Sequence, residues 1–572
     1  MSNATYLSYF HQRVQSTPDK QALVFLEEAG TELVERSLTY AELDAEARSI
    51  AVAVSELMEP GDRALLLFAP GTAFVSAFVG ALAAGVVAVP APLPDGKEKG
   101  LDRLAGIVAD ADVRVVLTQS ELAPLVTAWA QSVRPDLVIL ATDEVVADPD
   151  SWTPPAMGAD AIAFLQYTSG STGDPKGVIV THANLVANEI EIRAALETGD
   201  DLIMASWLPQ YHDMGLIGMI LHPLFVGGTA VFMSPVTFIK RPVRWIQTMD
   251  RYRATISVAP NFAFDFVARR VDDDAITDID LSCVRSVLNG SEPIQAESID
   301  KFLAKLGPRG LRRSAVMPVY GMAEATLFIT GTPVGDEPVV VDVDAEAFAG
   351  NVLQAPAPGS QAQVRTLVGS GRPLTLQVAI VDPETFQEVE PGAVGEIWVH
   401  GTSVAAGYWN MPEKSAESFA AEIVGRSGEK WLRTGDLGAF SEGSLYVTGR
   451  IKDTIIVNGR NLYAHDIERA ARTVSPAVAA GVGAAFTVGQ PERLVLVHEI
   501  RPELLADTAH AAVISEIRDV VRAEFSTPIA EVVLVRKGSV ARTTSGKIRR
   551  VRMRDLYEAG QVTALTEQVT VS

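Results

Sequence analysis

Cysteine is nearly absent. A single thiol, Cys283, stands in 572 residues. That excludes an intrachain disulfide and a cysteine-built metal site, and it suits a reducing, cytoplasmic setting. Basic charge is also short: 48 Lys and Arg against 71 Asp and Glu leave a formal charge of −23. Nucleic acid is therefore not an expected partner, since a phosphate backbone needs a basic surface. No apolar leader is visible in the opening MSNATYLSYFHQRVQSTPDK. Long uninterrupted apolar runs are missing as well. The nearest candidate, Ala64 to Pro94, carries no charged residue and is long enough for a bilayer. Pro70-Gly71 breaks it, and Gly80, Gly85, Pro90, Pro92 and Pro94 follow. It reads as a strand at Ala64–Phe68, a turn, a buried helix near Ala73–Ala84 and a strand at Val86–Val89, with no stable membrane span.

What is present is an ordinary globular composition, 48% apolar and 21% charged. The length calls for two or more domains. Tyr40 to Leu57 has helical spacing, with Thr39 placed to cap it. Val115-Val116-Leu117 and Leu137-Val138-Ile139-Leu140 are short apolar runs typical of parallel strands. Strands alternating with helices predict α/β layers, and no internal repeat is found.

The most informative stretch is Tyr167-Thr168-Ser169-Gly170-Ser171-Thr172-Gly173-Asp174-Pro175-Lys176-Gly177. It lies between two strand candidates, Ala161–Leu165 and Val178–Val180. Its glycines let backbone N–H groups approach an anion; its hydroxyls and Lys176 add donors and charge. A polyphosphate fits that inventory better than a plain Ser/Gly linker does. The common NTPase loop is excluded, because no Gly-Lys-Ser/Thr opens a helix here.

This stretch resembles the phosphate loop of the adenylate-forming superfamily of acyl-CoA synthetases, peptide-synthetase adenylation domains and luciferases. Further strings extend the resemblance along nearly the whole chain. Trp207-Leu208-Pro209-Gln210-Tyr211-His212-Asp213-Met214-Gly215, with Ser234-Pro235 and Ala259-Pro260-Asn261-Phe262, is similar to the fatty acyl-AMP ligase branch. Taken alone, His212 reads as a satisfied core histidine. The resemblance puts it near the reacting carboxylate, on the wall of an acyl pocket.

Asn289-Gly290-Ser291 follows an apolar run, at a strand end where α/β ligand sites lie. Tyr320-Gly321-Met322-Ala323-Glu324-Ala325-Thr326 is also at a strand end. An aromatic ring there can stack on adenine, Thr326 can donate to a phosphate, and Glu324 can hold a Mg²⁺, since a hard cation wants carboxylate oxygen. These two strings match the family's adenine and magnesium motifs. Asp436, in Trp431-Leu432-Arg433-Thr434-Gly435-Asp436, is read on a glycine-flanked turn; the resemblance gives it the ribose hydroxyls. Arg450 would reach ribose or phosphates, with its planar fork of donors. Lys452 matches the family hinge, and Lys547 in Thr543-Thr544-Ser545-Gly546-Lys547 matches the catalytic lysine. Residues 331–370 open with an alternating Val339–Asp344 and continue as a weakly structured Gly, Ala, Pro and Gln-rich stretch. It falls where acyl-AMP ligases carry an insertion thought to restrain the C-terminal domain and disfavour CoA.

The expected architecture is α/β: a large N-terminal domain, 1–451, of α/β layers plus a small β region, hinged to a small α+β C-terminal domain, 452–572. The activity implied is ATP- and Mg²⁺-dependent adenylation of a fatty acid, then transfer to the phosphopantetheine arm of an acyl carrier protein. Such carriers are generally acidic, and Arg549, Arg550, Arg552 and Arg554 form a candidate docking patch on this acidic chain. A fatty acyl-CoA ligase shares the first step. A catalytically silent adenylate-binding scaffold would not need Lys176, Glu324, Asp436, Arg450 and Lys547 together. Acyl chain length and oligomeric state, monomer or dimer, are left open.

Overall fold

The computed structural model describes residues 4–30, 32–94, 98–169, 175–457, 460–489, 492–505, 510–525, 527–543 and 546–565. The chain is α/β, with a large N-terminal body, a small β region and a small α+β C-terminal segment. Two mainly parallel sheets build the body. The eight-stranded sheet runs Phe328–Gly331, Val316–Gly321, Ser286–Gly290, Ile256–Pro260, Ile203–Ser206, Thr229–Met233, Gln21–Ala29 and Glu32–Thr39, with antiparallel strands at both edges. The six-stranded sheet runs Val138–Ala141, Val115–Thr118, Arg63–Leu66, Val87–Pro90, Ile162–Ser169 and Pro175–Thr181.

The charge-free run at Ala64 is explained by period two. Ala64 and Leu66 face one hydrophobic cluster, Leu65 and Leu67 the other. A strand buried on both faces needs no polar side. The helix that follows, Thr72–Ala83, is buried almost all round. Gly80 lets it approach the neighbouring helix Tyr40–Ser55: a Cβ there would lie 2.9 Å from the Ala47 carbonyl oxygen. Thr39 caps that neighbour with a full capping box through Glu42, as its sequence requires. Among the described residues, no helix is long and apolar enough to cross a membrane.

A four-stranded antiparallel sheet, Gln377–Val381, Gly395–His400, Leu432–Ser441 and Ser444–Arg450, forms the small β region. The expectation of weak structure across 331–370 is corrected. Val340–Asp344 pairs antiparallel with Val364–Val368, residue for residue, with the short helix Ala345–Ala349 between them. Along Val364 to Leu367 exposed and half-buried residues alternate, as side chains on opposite strand faces do. This hairpin touches the C-terminal segment: Arg365 pairs with Asp466, Gln363 Nε2 donates to the Ala523 carbonyl at 2.6 Å, and the Phe348 ring lies 5.4 Å from Tyr463.

After residue 453 the chain builds its own core around Gly483–Val488, Arg493–Ile500 and Glu531–Arg536. Two of the four arginines of the candidate docking patch are turned to other uses, while Arg552 stays exposed. Arg550 turns inward and is held by both carboxylate oxygens of Glu468 at 2.7 Å and by Asp453 at 2.8 Å. Arg549 lines the cleft described next.

Candidate active site

A cleft of about 460 Å³ opens at the C-terminal ends of the parallel strands, roofed by the C-terminal segment. One branch is apolar. Ile192 and Leu196 from the helix His182–Leu196, Met204 and Leu327 wall it, with Met214 and Met219 from a π-helical turn, Met214–Leu221. The wide turn leaves Gly218 on the wall, where a Cβ would stand 3.2 Å from Leu327 Cδ2.

The polar branch collects most of the residues singled out from sequence. Thr168, Lys176, His212 and Ser291 line it, as do Tyr320, Gly321, Met322 and Glu324. Arg450, Lys452 and Lys547 close it. Thr168 and Lys176 are not on a loop, as read, but face each other on the hairpin of Ile162–Ser169 and Pro175–Thr181. Gly170, Ser171, Thr172 and Gly173 lie outside the described residues, as does the Ser169 side chain. Lys176 Nζ sits 5.2 Å over the Tyr408 ring. Burial, then the nearby Lys414 and Lys452 charges, lower its pKa.

Three expected ligand residues stand behind the wall instead. Asn289 is fully buried and donates from Nδ2 to Asn261 Oδ1 at 3.2 Å. Gly290 serves strand packing, since a Cβ there would lie 2.9 Å from the Val319 carbonyl oxygen. Thr326 is the clearest correction. Its buried hydroxyl donates to the Ser403 carbonyl at 2.7 Å and is not available to a phosphate. That bond, with Ala405 N–H donating to the Glu324 carbonyl at 2.9 Å, pins the turn that presents Glu324. Only glycine fits at 321, where a Cβ would meet the Leu327 carbonyl oxygen at 1.9 Å.

Asp436 is on a strand rather than a turn, opposite Arg450 in register. Its buried carboxylate accepts from Tyr320 Oη at 2.8 Å and pairs with Arg450 Nε at 2.7 Å. Asp436 in turn raises the Arg450 pKa, against the cost of burial. Glu396, buried, braces this corner by accepting from Gly435 N at 3.0 Å and pairing with Arg433 at 2.8 Å. His212 Nδ1 is 2.6 Å from Asp213 Oδ1. Burial alone would raise the Asp213 pKa; the His212 charge and contact, then Lys547, overcome it and hold the carboxyl at about 2. Lys547 keeps solvent contact at the cleft mouth, but surrounding protein and then the Arg450 charge lower its pKa, opposed by Asp213, Asp436 and Glu292. Glu324 is raised by burial, while Tyr408 Oη donates to Oε1 at 2.9 Å.

Asp213, Tyr408 and Glu396 are the functional neighbours that sequence reasoning missed. Asp213 had a signal, its place beside His212. Tyr408, in the Gly407-Tyr408-Trp409 string that resembles a family turn, reaches the cleft from the loop after Gly395–His400, and Glu396 from that strand itself; neither carries a local sign of its role.

Fold and cleft together define an α/β protein whose cleft joins a cationic branch to an apolar one. The chain belongs to the AMP-binding enzyme family, whose model matches residues 10–409. It is 37% identical to the medium-chain-fatty-acid–acyl-carrier-protein ligase JamA of Moorena producens, over 100% of this chain and 98% of that one. It is 36% identical to the putative fatty-acid–CoA ligase fadD25 of Mycobacterium tuberculosis, over 97% of both. Among solved structures it is similar to the fatty acyl-adenylate ligase from L. pneumophila in complex with acyl adenylate and pyrophosphate, at 36% identity and TM-score 0.76, covering 97% of this chain and 96% of that one. The resemblance drawn from the motifs thus holds along the full length.

Proposed function

We propose that this protein uses ATP to activate a medium- or long-chain fatty acid as an acyl-adenylate and passes the acyl group to the phosphopantetheine thiol of an acyl carrier protein. The observation that carries this reading is one cleft in which an apolar channel meets Lys547, the His212–Asp213 pair, Tyr320 and Arg450, the last two both bound to the buried Asp436.

The carboxylate is already ionised at neutral pH and needs no base. Its oxygen attacks the α-phosphorus; the bond to the β-phosphate oxygen breaks, and pyrophosphate leaves with the electron pair. Bringing two anions together in line is the obstacle. Lys547 and Lys176 offset that charge. His212, oriented by Asp213, faces the carboxylate. Tyr320, Asp436 and Arg450 hold the nucleoside, the ribose hydroxyls taking up acceptor positions on Asp436. The thiol sulfur then attacks the acyl carbonyl carbon, AMP leaves as a phosphate monoester, and the thiol proton passes to solvent. We place the boundary of the mobile C-terminal domain at 451/452, with Lys452 as the hinge that withdraws Lys547 before the thiol enters.

Glu324 fits a Mg²⁺. It is a half-buried carboxylate in the cleft wall that accepts from Tyr408 Oη, and no group of three metal-ligating side chains occurs among the described residues. An ion there relies on phosphate oxygens and water for its other ligands, as Mg²⁺ commonly does. Bound, it supplies Lewis-acid charge to the phosphates.

The test supplies ATP, Mg²⁺ and a ladder of fatty acids, with no acceptor, with CoA, or with a holo acyl carrier protein, and follows products by mass spectrometry. Acyl-AMP that persists with CoA and is consumed by the carrier supports the proposal. Rapid acyl-CoA formation favours the second reading, a CoA ligase, which the likeness to fadD25 keeps in view.

A further inference from the structure

We propose that the face made by the helices Pro235–Lys240 and Asn261–Arg270 is the docking surface for the acidic carrier protein that receives the acyl group. This rests on the carrier-transfer reading above.

The first observation is charge. In a chain of formal charge −23, the two helices carry Lys240, Arg269 and Arg270 against a single acid, Asp265. Lys240 is well exposed; its nearest recorded acid, Glu28, is 3.8 Å away. Arg269 and Arg270 are exposed at the end of the second helix, with no ion pair recorded for either among the described residues. Arg270 lies 5.7 Å over the Phe266 ring. The run Asp272-Asp273-Asp274 follows; Asp273 is tied to Lys305 at 2.9 Å, and Asp272 and Asp274 are exposed, so the net basic charge of the face rests on Lys240 as well as on this helix end.

The second observation is exposed apolar surface among those cations. Val236 is 57% exposed, Ile239 48% and Phe262 39%. The two helices are neighbours: Phe238 and Phe266 have ring centroids 5.7 Å apart, and Trp207 stacks on Phe238 at 3.9 Å while meeting Phe262 edge-on at 6.0 Å. The surface therefore rests on a packed aromatic base. Apolar contacts rimmed by charge are what a transient protein interface uses, charge steering encounter and apolar groups holding register.

The third observation is place. The second helix begins where the strand Ile256–Pro260 ends, and Val258 of that strand lines the acyl channel. Phe262 N–H donates to Glu292 Oε1 at 2.5 Å, one residue from Ser291 in the cleft wall. Across the cleft the C-terminal segment brings Arg472 into electrostatic contact with Asp265 and Arg269. A carrier seated here has its arm at the mouth of the site, with basic groups of both parts of the enzyme around it. An anionic lipid surface would also recognise basic and apolar groups, but gains nothing from a position at the cleft mouth.

The test uses the full-length enzyme with ATP, Mg²⁺, its preferred fatty acid and a holo acyl carrier protein. Two variants are compared, Ile239→Asp and the double reversal Lys240→Glu with Arg270→Glu. Pyrophosphate exchange and acyl-AMP formation should stay at the wild-type level, which also reports that each variant is folded. Transfer to free pantetheine should be unchanged. The carrier's kcat/KM should fall about tenfold or more, mainly through KM, and its salt dependence should flatten in the double variant. A carrier with a Glu→Lys change on its acidic helix should recover part of the loss with the double variant. An unchanged carrier KM overturns the proposal, and so does an equal loss with free pantetheine. Binding of the wild type to anionic vesicles, lost in both variants while carrier kinetics hold, reassigns the face to a membrane. If the wild type transfers to no holo carrier, the acceptor reading falls and this surface with it.

Discussion

Replacing Lys547 by Ala separates the two half-reactions. The ammonium lies among Asp213, Asp436, Glu292 and Arg450, at the meeting of the apolar and polar branches. As a charge-assisted donor in a partly desolvated cleft it should supply a factor on the order of 10²–10³, about 3–4 kcal/mol, to the step in which the α-phosphate accumulates charge. Loss of activity through unfolding can be set aside on physical grounds. The surroundings lower the Lys547 pKa, so its charged form is less stable there than in water. Lys547 is exposed, and exposed substitutions seldom change stability by more than about 0.5 kcal/mol, so the melting temperature should be nearly unchanged. Pyrophosphate release from ATP and fatty acid gives the adenylation rate. Thioester formation from synthetic acyl-AMP and holo carrier gives the second step, which should keep most of its rate. Equal loss in both steps, or a melting temperature several degrees lower, would refute the reasoning.

Three further outcomes test other parts of the site. In adenylation, kcat/KM for ATP reports the free enzyme. Lys547 acts in its charged form and its pKa is lowered from 10.5, so the alkaline limb should begin below pH 10.5, and Lys547→Arg should move it upward in whatever activity remains. Gly218→Val should shift the preferred acid to shorter chains, with discrimination against the longest of about 10-fold or more and an unchanged KM for ATP, read from competition among a fatty-acid ladder. Removing the contacts between the hairpin and the C-terminal segment, by Gln363→Ala with Arg365→Ala, should raise thioester formation with free CoA. Excising Val339–Gln363 is the poorer experiment, since it orphans the strand Val364–Val368.

Much of the body was legible because its signals are local. The run from Ala64 to Pro94 reads as strand, helix and strand once its prolines and glycines are weighed, and the structure adds why its strand needs no polar face. Thr39 announces a helix whose capping box it completes. The failures share one cause, partners distant in sequence. Nothing near Arg550 tells that Glu468 will bury it, 82 residues away. Nothing near Thr326 announces the Ser403 carbonyl. Asp436 sits in a glycine-flanked string that suggests a turn, yet Gly435, at φ +71°, is accommodated within the strand Leu432–Ser441 beside a register shift at Leu437/Gly438. The strand Val364–Val368 shows no apolar–polar alternation in Val-Arg-Thr-Leu-Val and follows Gly, Ala and Pro-rich residues, so only its pairing with Val340–Asp344 reveals it.

The cleft's charges bear on why a hinge is needed at all. The Lys414 and Lys452 charges depress Lys176, and Arg450 does the same to Lys547 across the cleft. Such a cluster is self-repelling until an anion sits within it. A triphosphate removes that repulsion and favours Lys547 turned inward. Loss of pyrophosphate takes away most of the compensating charge while AMP, esterified, keeps a single negative phosphate. The inward arrangement is then weakened at the moment the thiol must enter. Arg550, anchored to Asp453 at the end of the proposed hinge and to Glu468 within the C-terminal core, ties the hinge to the body that moves. Neutralising it would leave Glu468 buried without its cation, at a cost of about 3–5 kcal/mol, and so would disturb the moving part itself rather than the balance that turns it. The cleft's charge balance can instead be tuned at Lys452, which is exposed and whose charge acts on Lys176.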